Sequence, residues 1–216
     1  MPHPADKQCC LAALRTALAS FLVDVRLVEA LAEVLHRAYE KGRVSYQEVQ
    51  NMVGANAVDI LMAAYEWKLL IPATSARGTQ DWEDKLLRFS PGETYLMPSV
   101  VRHLVRTAEA TSRWEPARAL IAAFAAMGEV ELDAVTVLVR RMVEQARYLQ
   151  VDGRQIRGIC ESLGLGDKAG ALIAELKASG AMSPRLGSVG AALKAKAPVY
   201  ELNPCLLVST EEFNHP

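Results

Sequence analysis

One short pattern occurs twice in this chain, and that duplication limits the available folds more than any other feature. Residues 44–72 read VSYQEVQNMVGANAVDILMAAYEWKLLIP, and residues 151–184 read VDGRQIRGICESLGLGDKAGALIAELKASGAMSP. Each copy has a polar opening, a brief amphipathic helix pattern, a Gly-containing turn, a longer apolar helix pattern and a β-like stretch ending in proline. Two helices across a tight turn, followed by a pair of short strands, form one supersecondary unit. Two such units in 216 residues predict two modules of about 100 residues each.

The residues around the copies predict further helices. Leu11, Leu14, Leu18, Phe21 and Leu22 lie on one stripe of a helix over 6–23. Asp24 caps a helix over 25–41, which stops at Lys41-Gly42. Ser45 and Glu48 form a capping box that opens a helix to about Met52. Asn56 caps the helix that follows, to about Lys68, and the runs 69–71 and 86–89 read as two strands of a hairpin with a wide polar tip. Pro98 opens a helix to about Thr111, and helices follow over 114–127 and 131–148. The second copy has a helix over 154–163, a longer helix capped by Asp167, and strands at 181–182 and 198–202 around a loop at 185–197. The chain thus divides into residues 1–112, an accessory helix plus the first unit, residues 113–210, the second unit, and a loose tail at 211–216.

Composition excludes several function classes. At 51% hydrophobic and 23% charged residues the chain carries a full core. Its net charge is −1, and the two halves on either side of Thr107 are each nearly balanced, so no overall basicity demands nucleic acid. The charge is uneven locally: residues 135–196 hold 10 basic and 5 acidic side chains. Cys9, Cys10, Cys160 and Cys205 form no C-x-x-C, and the histidines have no metal-ligand spacing to them, so no metal or cofactor is expected. No signal segment and no apolar run of membrane-spanning length is visible, and a reducing cytoplasmic setting is the expectation. LGLGDKAG follows a helix pattern, not a strand, and lacks phosphate-loop spacing; no G-x-S-x-G or H-E-x-x-H occurs. Nothing in the sequence predicts an enzyme.

With helix, turn, second helix and wing strands in order, the chain resembles the tandem winged-helix proteins of the winged helix-turn-helix superfamily. DGRQIRGICESLGLGDKAGALIAELKASGAMSP followed by VYELNP carries the better match. The resemblance implies a mostly α fold with small β-hairpins, and two winged modules with accessory helices. It also implies that the second helix of the pair enters the major groove of double-stranded DNA while the wing touches phosphates. Arg154, Arg157, Lys168, Lys177, Arg185, Lys194 and Lys196 are then the expected DNA contacts, with Ser179 as a further outward candidate. The first copy is a poor reader, since its equivalent helix offers Asp59 and Glu66 against Lys68. A transcriptional regulator is the leading expectation.

A protein-interaction scaffold is the alternative, with Trp67 and Trp82 as its apolar candidates. Dimerisation through residues 6–23 is a further expectation, because regulators that read two half-sites are symmetric. Regulation by a ligand held between the modules is a third idea, but no residue set in the sequence marks a pocket.

Overall fold

The computed structural model describes residues 4–79, 81–129, 131–185, 193 and 196–208, with side chains from residue 7. Its framework is helical, with two small three-stranded antiparallel sheets. The first unit runs α2 (Val25–Lys41), β1 (Arg43–Ser45), α3 (Tyr46–Val53), α4 (Ala57–Glu66), β2 (Ile71–Pro72) and β3 (Thr94–Leu96). The second repeats that order as α7 (Leu132–Gln145), β4 (Gln150–Asp152), α8 (Gly153–Ser162), α9 (Ala169–Ala178), β5 (Met182–Pro184) and β6 (Val199–Leu202). In both sheets the last strand lies in the middle, in the orders β1-β3-β2 and β4-β6-β5. Ahead of the first unit stands α1 (Pro4–Leu18), and α5 (Ser99–Thr111) and α6 (Pro116–Met127) join the two.

The first strand of each sheet is three residues long and ends on the residue that caps the next helix. Ser45 Oγ accepts from the Glu48 N–H while the Glu48 carboxylate accepts from the Ser45 N–H. Asp152 and Gln155 form the same reciprocal box at the start of α8. Each box satisfies donors that a helix start leaves open, and it ties a sheet edge to a helix. The expected caps at Asn56 and Asp167 are not used. Each of those helices is instead preceded by a 3₁₀ turn, Gly54–Asn56 or Gly166–Lys168, whose own carbonyl accepts from the first helical N–H.

Other boundaries also differ from the sequence reading. The first helix ends at Leu18, short of Val23, and the chain turns so that Phe21 stacks against Trp67 and Trp114, with ring centroids 5.0 and 5.1 Å away. Helix α7 ends at Gln145 because Ala146 adopts an extended conformation. That exit feeds a two-residue turn in which Arg147 and Gln150 exchange both backbone hydrogen bonds at 3.0 Å. The expected strand at 86–89 is absent: the backbone pairing on that side of the loop is an isolated bridge, Ser75 to Lys85. The central strand is Thr94–Leu96, whose buried Tyr95 sits opposite Val44 and Pro72.

One continuous apolar core runs from Leu14 in α1 to Leu206 beyond β6. The stripe that suggested dimerisation through residues 6–23 belongs to this core, since Leu14, Ala17 and Leu18 pack within the chain, and α1 lies against α2 and α5. Polar contacts close the seam between the units. Buried Asn203 donates from Nδ2 to the carbonyls of Gly180 (3.0 Å) and Lys68 (3.3 Å), and its Oδ1 accepts from the Cys205 N–H. Trp114 Nε1 donates to the Cys205 carbonyl at 2.9 Å.

Candidate nucleic-acid interface

The second unit places its cations around a cleft. Asp152 starts α8 with a fixed phase, which turns Arg154 and Arg157 outward and Ile156 and Ile159 into the core. The loop returning to β6 brings Lys196 and Pro198 over the start of the same helix, where the Pro198 carbonyl accepts from the Gly153 N–H at 2.8 Å. The resulting cleft, about 500 Å³, is lined by Arg154, Arg157 and Lys196, with Glu161 at one side and Ile173 and Tyr200 in its wall. Burial raises the Tyr200 phenol above its ordinary pKa, partly offset by the nearby positive charge of Arg157.

Two glycines shape this surface. An added Cβ at Gly158 meets nothing within 4 Å, and the residue has ordinary helical geometry. Neither backbone nor packing therefore requires glycine there, although glycine costs an exposed helix about 1 kcal/mol relative to alanine. Its effect is to keep the cleft floor low. At Gly153 an added Cβ would touch Pro198 and Tyr200 at ordinary distances.

The other expected contacts are distributed differently. Lys177 is exposed on α9, but the remaining exposed positions of that helix are Gly170, Ala171, Ala174 and Ala178. Lys168 is held 2.5 Å from Glu131, whose carboxylate raises the pKa of its ammonium. Arg185 pairs with Glu83 of the first unit at 3.4 Å. Lys194 lies outside the described residues. Ser179 is a correction: it is fully buried, its hydroxyl donates to the Leu176 carbonyl, and its own carbonyl accepts from the Val100 N–H at the start of α5.

The first unit presents a different surface. Helix α4 exposes Asp59, Met62 and Glu66. The loop after β2 folds around Asp84, whose carboxylate accepts from the Arg77 and Thr79 N–H groups and the Thr79 hydroxyl, each at 2.9 Å. Burial alone would raise the Asp84 carboxyl, but the donors of Thr79, Arg77 and Ser75 outweigh it and hold the group below its ordinary value. Thus braced, the loop docks on the second unit, where the Trp82 N–H donates to Ser183 Oγ at 2.9 Å. Trp82 is buried there, and Trp67 packs on Phe21, so both candidates for a partner-facing patch belong to internal packing. Lys68 lies with Nζ 4.0 Å over the Tyr65 ring, and burial lowers its pKa.

A protein-family model matches residues 16–212, which takes in both units and the helices that join them. The chain belongs to that family. No curated protein matches the chain, and no solved structure does. Among the described residues, no helix is long and apolar enough to cross a membrane, and no group of three or more His, Cys, Asp or Glu side chains could hold a metal ion.

Sequence reasoning found Arg154, Arg157 and Lys196 as cations on one module but did not gather them into a cleft. Glu131 and Glu83, which neutralise Lys168 and Arg185, were missed. They lie far from their partners in sequence, so only the tertiary fold reveals the pairing.

Proposed function

We propose that the chain binds double-stranded DNA as a tandem winged helix-turn-helix protein, with the second unit holding the duplex, and that it acts in transcriptional regulation. The observation that carries this reading is the convergence of Arg154, Arg157 and Lys196 at one cleft beside α9. Support for the modules comes from the repeated order helix, strand, helix, helix, strand, strand, with the last strand central in each sheet.

The arrangement favours phosphate contact over base reading. Direct readout needs long polar side chains projecting from the helix that enters the major groove. Helix α9 offers Lys177 on a face otherwise made of glycine and alanine. Small residues permit close approach to the duplex but supply no hydrogen bonds to base edges. Affinity then comes from cations on α8 and the β6 loop, and discrimination among sequences is weak.

Fluorescence anisotropy with a pool of mixed-sequence duplexes at two salt concentrations tests the reading. Binding that weakens steeply with salt and varies little across sequences is the expected result. A salt-insensitive interaction, or no binding to any duplex at low salt, would refute it.

A further inference from the structure

A second cationic groove lies away from the α8 cleft, between the two helices that join the units. On α5, His103, Arg106, Thr107, Ala110 and Thr111 recur at three- and four-residue spacing and form one stripe. Facing them on α6 are Arg118 and Ala122, one turn apart. Ala110 and Ala122 are too small to fill the space, which leaves a groove of about 340 Å³. That is the low end of the volumes that hold small ligands.

The charges in this groove are poorly balanced. Among the described residues, no carboxylate lies within ion-pair distance of His103 or Arg106. Arg118, largely exposed, has Glu115 at 3.4 Å, and the same carboxylate accepts from the Thr111 hydroxyl at 3.4 Å, so one acid stands at the groove against Arg106 and Arg118. Glu109, the acid on α5, is turned away and bonds His36 of α2 at 2.6 Å. Burial, then the positive charges of Arg106 and Arg102, push the His103 imidazole below its ordinary pKa. An anion entering the groove would meet Arg106, which among the described residues has no carboxylate within ion-pair distance, and the exposed guanidinium of Arg118.

We propose that this groove binds the phosphoryl group of a small molecule, with Arg106 and Arg118 as its charged clamps and His103 and Thr107 as further donors. A tetrahedral phosphate has more acceptor oxygens than a carboxylate and suits donors that converge from two helices. A ligand seated there braces α5 against α6. The start of α5 touches the second unit at Gly180, so the site sits where an effector could set how the two units meet. This assignment stands apart from the DNA reading and shares no residue with it.

The test follows the His103 ring by nuclear magnetic resonance in the full chain while inorganic phosphate is titrated in, with the signal assigned from His103→Gln. A saturable shift with a dissociation constant of about 1 mM or tighter is expected. Arg106→Gln and Arg118→Gln should each weaken it about tenfold or more, the loss of one charge-assisted hydrogen bond. Both arginines are exposed, and unchanged thermal midpoints verify that the variants fold. Arg113→Gln, outside the groove, and Arg154→Gln with Arg157→Gln, at the other cleft, should leave the titration unchanged. A drift that fails to saturate by about 50 mM, or equal weakening by the Arg154 and Arg157 changes, overturns the proposal. So does a His103 shift driven by duplex DNA and not by phosphate, which would make the groove part of a nucleic-acid footprint.

Discussion

The two units share an order of elements and a sheet topology, yet they use the same scaffold in opposite ways. In the first, the loop after β2 is knotted around Asp84 and docked on β5 of its neighbour, and α4 shows acids and Met62 to solvent. In the second, the corresponding region frames an open cleft with three cations. The difference teaches that a repeated fold does not imply a repeated site. One copy's loop has become part of the seam that positions the other copy.

The helix-ending positions carry the same contrast and give the largest expected effect on stability. After α4 the left-handed residue is Lys68 (φ 52°), and after α9 it is Gly180 (φ 75°). A Cβ at Gly180 would lie 2.5 Å from Pro98 Cβ and 3.6 Å from its Cα, so backbone would have to shift. Gly180→Ala should destabilise the protein by about 3 kcal/mol in urea unfolding, combining overpacking with an unfavourable φ. Lys68→Gly should change stability by less than about 1 kcal/mol, since relief at φ is offset by loss of the contact with Tyr65. Equal effects would mean that the seam does not rest on the close approach at Pro98.

The capping boxes sharpen the comparison through pH. In the first unit the box is closed by Glu48, whose carboxyl is pushed down to about 2 by the Ser45 N–H and by Lys41. In the second unit the closing residue is Gln155, which does not titrate. A lowered folded-state pKa contributes stability above the unfolded value near 4.5, and that contribution is lost as pH falls toward 2. Glu48 is partly exposed, so solvent screening limits the effect to about 1 kcal/mol. Glu48→Gln should flatten stability against pH between those values, and Gln155→Ala should leave the slope unchanged.

The smallest effect concerns the entries to the first strands. Gly42 supplies the left-handed residue before β1, whereas Tyr148 and Leu149 both carry positive φ before β4. Tyr148 is 93% exposed and buries almost nothing to compensate. Tyr148→Gly should therefore stabilise the protein by about 0.5–1 kcal/mol, read from the thermal midpoint. A loss of stability would show that the tyrosine side chain makes a contribution beyond its turn.

Much of this was legible in the sequence where the signal was local. Asp24, the Lys41-Gly42 stop and the Ser45–Glu48 box mark helix ends that the structure reproduces. Strands β1 and β4 escaped notice because three residues abutting a cap show no alternation that a window can detect. Leu86 to Phe89 looked like a strand because it is apolar, but what makes a strand is a partner, and Thr94–Leu96 occupies the place between β1 and β2. For the candidate site, Arg154, Arg157 and Lys196 could be named as cations from residue type and position, and their convergence at one cleft could not. The neutralising of Lys168 and Arg185, the burial of Ser179 and the α5–α6 groove each depend on long-range packing.

The proposed function rests on the second unit, not the first, gripping the phosphates of duplex DNA. The most direct measurement is the slope of log affinity against log salt for duplex DNA, in the native chain, in Arg154→Gln with Arg157→Gln, and in Arg43→Gln of the first unit. The account predicts that the double change lowers the slope by about two while Arg43→Gln leaves it unaltered. An unaltered slope in the double variant, or an equal loss from Arg43→Gln, would contradict it.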